Sequence, residues 1–93
     1  MSDAKQMQED LGVTTEIVLK YPVRLPTGET LAKVSVRRPR VGDLRAVSHL
    51  ATDAEQELAL LARIAGLVPE DLDLLDLADY KALQDTFRQT QQA

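Results

Sequence analysis

Regular alternation of apolar and polar positions begins at Thr15. From there to Leu25, Ile17, Leu19, Tyr21, Val23 and Leu25 share one parity, and Glu16, Lys20 and Arg24 share the other. Period two with β-branched and aromatic residues is the pattern of a half-buried strand. Pro22 has no amide hydrogen, which confines it to a sheet edge or a bulge. Pro26-Thr27-Gly28-Glu29 reads as a turn, because Pro presets one φ and Gly supplies a positive one. Thr30 to Arg37 alternates again, with Ala32, Val34 and Val36 on one face and Lys33, Ser35 and Arg37 on the other. Two alternating runs about such a turn predict a β-hairpin over residues 15–37. A lone two-stranded hairpin is marginal in water, so its apolar face needs a cover from elsewhere in the chain.

Beyond Pro39 the period lengthens to that of helices, predicted over about 41–51, 53–65, 69–75 and 76–89. Asp43 is a candidate N-cap, followed by Leu44, Val47 and Ala51 at helical spacing. Thr52 or Asp53 caps the next helix, and Thr52 with Glu55 three residues on has the form of a capping box. In the second helix Leu58, Leu61, Ala62 and Ala65 form one stripe, and Leu60, Ile64 and Leu67 form another beside it. An apolar arc that wide either packs against neighbours on two sides or turns one stripe toward another chain. Gly66 suits a left-handed C-terminal cap, and Pro69 a first helical turn. Asp76 reads as the N-cap of the last helix, with Asp79 in the capping-box position and Leu77, Tyr80, Leu83, Gln84 and Phe87 at 3–4 spacing. Residues 1–13 lack periodicity and read as a flexible arm, and residues 90–93 as a frayed tail. The pattern as a whole predicts a single α+β domain over 14–89, an N-terminal β-hairpin followed by three to four short helices packed as a small bundle.

Composition narrows the function more than the fold. Ninety-three residues make one domain. With no cysteine, disulfides, thiolate metal sites and thiol catalysis are excluded, and the single histidine excludes a His-rich centre. Three aromatic residues, Tyr21, Tyr80 and Phe87, are too few for a base-stacking platform. No apolar run approaches the roughly 18 residues of a membrane span, and the polar, acidic start is unlike a signal peptide. These features describe a small, soluble, acidic, intracellular domain. The net charge of −4 is unevenly spread. Between Leu31 and Leu50 lie Lys33, Arg37, Arg38, Arg40 and Arg45 against Asp43 alone, a basic waist between two acidic regions. Such a waist either balances charge within the fold or docks an acidic partner.

Candidate chemistry is sparse. His49 sits in a predicted helix with no partner for acid–base work. Glu70, Asp71, Asp73, Asp76 and Asp79 are interrupted by leucines and lack the central Gly of a calcium loop, so they read as helix caps. Gly28 and Gly42 are isolated, and Ser35 and Ser48 lack a nucleophile-elbow context. Arg37-Arg38-Pro39-Arg40 suits phosphates, yet the helix after it carries only Arg45, Ser48 and His49 for reading bases. No catalytic residue, metal or cofactor is expected, and nucleic acid is disfavoured. The residues alone leave a protein-interaction module, an antitoxin-like regulator and, behind them, a DNA-binding regulator open.

Four linked segments carry a resemblance over Thr15 to Phe87: Leu19-Lys20-Tyr21-Pro22; Val36-Arg37-Arg38-Pro39 with Val41-Gly42-Asp43-Leu44; Glu55 to Gly66; and Pro69-Glu70-Asp71-Leu72 followed by Leu74-Leu75-Asp76-Leu77-Ala78-Asp79-Tyr80. In order and spacing they resemble the tail assembly chaperones of Mu-like and P2-like contractile-tailed phages and prophages. The resemblance implies a non-enzymatic protein in the cytoplasm of the bacterial host. It would bind the tape measure protein, help tail tube subunits assemble around it, and be absent from the mature virion. It also implies that this chain is the shorter product where a frameshifted longer form exists. On that reading Leu60, Ile64 and Leu67 are candidate apolar anchors for the partner, and Arg37, Arg38 and Arg40 candidate orienting charges. Exposed stripes of this kind also allow a homo-oligomer.

Overall fold

The computed structural model of the chain describes residues 14–92; the predicted arm over 1–13 lies outside them. Two antiparallel strands, β1 (Thr15–Arg24) and β2 (Thr30–Val36), are followed by four helices, α1 (Val41–Val47), α2 (Asp53–Ile64), α3 (Pro69–Leu72) and α4 (Leu77–Gln92). The fold is the expected α+β arrangement of a hairpin and short helices. Leu25 and Glu29 close the hairpin turn through an N–H to carbonyl bond of 2.8 Å, with Gly28 at φ +93°.

The strands do not pair evenly. Val18 faces Lys33 and Val23 faces Leu31, so Leu19 to Pro22 bulge out opposite Ala32. The missing amide of Pro22 is tolerated there because a bulge leaves residues outside the ladder. The bulge also breaks the parity predicted for β1. Leu19 stays buried, whereas Tyr21 turns outward and is 56 % exposed. Ala32, opposite the bulge, is likewise exposed, while Val34 and Val36 hold the inner face.

One core joins the hairpin to α2, α3 and α4: Leu19, Val34 and Val36 meet Leu61, Ala62, Ile64, Leu72, Leu75, Leu83 and Phe87. α2 is its centre, with Leu61 fully buried. Both ends of α2 are fixed by local chemistry. The Thr52 hydroxyl accepts from the Glu55 amide at 3.1 Å and donates to the Glu55 carboxylate. At the other end the Leu67 N–H reaches the Ala62 carbonyl at 2.9 Å and the Gly66 N–H reaches Arg63, with Gly66 at φ +71°. That pair of bonds is a Schellman cap, which needs a left-handed residue. Space around Gly66 is open, so Gly66→Ala meets no clash. The variant is expected to lose only the backbone term of about 1–2 kcal/mol, measured by urea unfolding.

Three helix ends differ from the periodic reading by three residues or more. α3 stops at Leu72 rather than 75, because Leu74 and Leu75 bond back over three residues, to Asp71 and Leu72. α1 ends at Val47, because Ser48 and Leu50 bond back over three residues, to Arg45 and Val47, in place of a further α-turn. α4 runs on to Gln92, where the Arg38 guanidinium donates to the Thr90 carbonyl and the Thr90 hydroxyl to that of Phe87. A cation on the last carbonyls suits the negative end of a helix. Ala93 lies outside the described residues.

Candidate functional site

Part of the basic waist, Arg37 and the Arg40 amide, folds around its one acid. α1 starts at Val41, which puts Asp43 in its first turn and on its inner side with Val47. The Asp43 side chain is 3 % exposed. Its Oδ2 accepts from Arg37 Nη1 at 2.7 Å and from the Arg40 amide at 2.7 Å; its Oδ1 accepts from Arg37 Nη2 at 2.7 Å and from Arg63 Nε at 2.9 Å. The Arg37 fork is bidentate, the geometry in which a guanidinium binds a carboxylate most strongly. Arg37, foremost, holds the Asp43 carboxyl well below the usual carboxylate range; burial opposes the shift, and the Arg40 amide and Arg63 reinforce it. The end of β2, the loop to α1, α1 itself and α2 are thereby tied to one carboxylate. The Arg37 amide adds a bond of 3.1 Å to the Ile64 carbonyl.

A second buried acid ties α4 to β1. Asp79 is 3 % exposed. Its Oδ1 accepts from the Lys20 amide at 2.9 Å and its Oδ2 from the Tyr21 amide at 3.0 Å. These are amides of the β1 bulge, so Asp79 occupies the place of a missing ladder partner. The cap of α4 is Asp76 alone, whose carboxylate accepts from the Ala78 amide at 3.0 Å.

The candidate partner residues fall into different surroundings. Arg37 is engaged by Asp43, and Arg38 by the end of α4. Ile64 is 3 % exposed and inside the core; Leu60 and Leu67 are half-buried and pack against it. Arg40 and Leu60 instead meet in a cleft of about 250 Å³, completed by Pro39, Val41, Leu44 and Gln91. Val41 and Leu44 are 73 % and 56 % exposed. The spacing of Leu44, Val47 and Ala51 suggested one common face. Val47 goes inward with Asp43, and Leu44 goes outward with Val41. A buried Asp at the i−4 position from Val47 was the available clue, masked by its resemblance to a cap.

A second cleft of about 250 Å³ lies between β2 and the end of α2, lined by Thr14, Ser35, Arg37, Arg63, Ile64, Ala65 and Gly66. Its two arginines are the ones bound to Asp43. Among the described residues no cluster of His, Asp and Glu could hold a metal ion, and no buried side-chain nitrogen or oxygen lacks a hydrogen bond. No helix among them is long and apolar enough to cross a membrane. Exposed Val41 and Leu44 beside Arg40 make an arrangement that suits a protein surface.

A small α+β frame with its polar groups satisfied inside and apolar side chains left outside is the build of an interaction domain. The family model described as "Phage tail assembly chaperone proteins, E, or 41 or 14" matches residues 16–91, and the chain belongs to this family. No curated protein and no solved structure matches the chain significantly.

Proposed function

We propose that this chain is a non-catalytic chaperone that binds the tape measure protein in the bacterial host cytoplasm and helps tail tube subunits assemble around it, without remaining in the virion. Family membership over residues 16–91 is the observation that carries this reading. The structure supports it physically. A chaperone for a long helical client needs apolar contact area on a frame that does not itself collapse. Here Val41 and Leu44 stand out from a helix whose inner side is tied down through Asp43. The arginines around them speed and orient encounter more than they add affinity.

Co-expression with the candidate tape measure protein tests the reading. The expected result is co-elution on size-exclusion chromatography and a larger soluble fraction of the client. A client equally insoluble with and without this chain, and no joint peak, would sink it.

A further inference from the structure

The outward side of α1 carries more apolar surface than its packing explains. Val41 and Leu44 lie one turn apart, exposed, and Leu60 of α2 forms the opposite wall of the same cleft. Two helices presenting such a trough accept a third helix through apolar anchors at i and i+3 or i+4. The rim sets the sign of the partner. Arg45 follows Val41 by four residues, so it stands on the same outward side. It makes no ion pair among the described residues. Arg38 is met by the Thr90 carbonyl, which hydrogen-bonds but does not neutralise. Asp43, the only acid between Leu31 and Leu50, is buried and spent on Arg37 and Arg63. The apolar trough is therefore edged by positive charge that no acid of α1 offsets.

We propose that the Val41–Leu44–Leu60 cleft docks an acidic amphipathic helix of a partner protein, with aliphatic anchors in the trough and carboxylates toward Arg45 and Arg38. This deepens the chaperone reading and rests on it for the identity of the partner, while the chemistry named comes from the cleft. The anchors supply affinity, and the carboxylates supply orientation and discrimination against basic helices.

The probes are two fluorescent synthetic helices about five turns long, with leucines at 3–4 spacing. One carries Glu and the other Lys at its polar positions. With the full chain, the Glu helix is expected to bind about tenfold or more tighter than the Lys helix. Its binding should move the backbone NMR signals of Val41, Leu44, Leu60 and Gln91. Val41→Asp combined with Leu44→Asp should weaken it about tenfold or more at unchanged Tm, since both side chains are exposed. Val68→Asp, an exposed apolar position outside the cleft, should leave it unchanged. Arg45→Glu should erase most of the Glu-over-Lys preference. If the double variant melts early, Leu44→Ser replaces it with the same expected direction. Equal binding of both helices, signal changes confined to other elements, or a dimer of this chain formed through the cleft would each overturn the proposal. Two results separate it from the chaperone reading. Undiminished co-elution of the double variant with the tape measure protein overturns the cleft alone. Peptide binding by a wild-type chain that does not co-elute overturns the chaperone alone.

Discussion

Asp43→Ala is expected to destabilise the fold by about 3 kcal/mol, the lower end of what breaking a buried ion pair costs. The lower end applies because Arg37 and Arg63 are 32 % and 49 % exposed in their side chains and can turn back to water. The Arg40 amide also loses its acceptor. For a domain of this size, whose total stability is about 5–10 kcal/mol, that is a large fraction. Tm should fall by about 15 °C. Asp43→Asn should lose most of the same, because one amide oxygen replaces a carboxylate that receives four donors. The pH dependence separates charge from shape. The folded carboxyl titrates far below the unfolded one, whose ordinary value is 3.8. Ionised Asp43 thus stabilises the fold fully above that value, and its contribution is lost as pH falls through it toward the folded one. The stability gap between wild type and Asp43→Asn should be widest at neutral pH and narrow steadily below about pH 4. Urea unfolding at neutral and acid pH measures it. A gap that stays constant between them would mean that packing, not charge, holds this corner.

What the sequence made legible was local. The hairpin declared itself through period two, and Pro22, a residue that cannot serve the ladder, marked an edge or a bulge without saying which. Thr52 and Gly66 fix the ends of α2 by bonds spanning only a few residues, so spacing located both ends and left only Thr52 or Asp53 as the cap. The basic waist was visible as a charge excess. Less legible were Asp43 and Asp79. Each sits three residues past the cap of a helix, a position where an acid serves the helix by default. Asp43 does return a bond to the Arg40 amide, yet its other partners come from β2 and α2. Asp79 spends both oxygens on a strand 58 and 59 residues away. A capping acid and a bridging acid are the same letter at the same spacing; only long-range packing separates them. The phase of α1 was hidden for a related reason. Its inner side is marked by Asp43 as well as Val47, while two aliphatic residues stand outside, so hydrophobicity pointed the wrong way round. The wide arc of α2 likewise resolves by position, with Ile64 inside the core and Leu60 at the cleft wall.

Asp79→Ala should be comparably costly, about 3 kcal/mol, by a different route. The β1 bulge frees the Lys20 and Tyr21 amides from the ladder, and one buried carboxylate accepts both. Hydrogen bonds to a charged acceptor contribute about 1.5–3 kcal/mol each, and removing the acceptor strands two donors together. Asp79→Asn keeps one oxygen for one amide and turns an NH₂ toward the other, so it should recover less than half of the loss. Asp79→Glu adds a methylene where the carboxylate already sits at 2.9 and 3.0 Å, and should not rescue. The decisive readout is local. In Asp79→Ala the amides of Lys20 and Tyr21 should exchange with solvent far faster than in wild type, while the Leu61 amide, at the centre of α2, follows only the global loss. Unchanged protection at Lys20 and Tyr21 would mean that the bulge is held by the burial of Leu19 in the apolar core, and that the carboxylate is incidental. Acceleration at those two amides beyond the global loss read at Leu61 would identify Asp79 as the residue that lets a strand interrupted by proline still dock on the last helix.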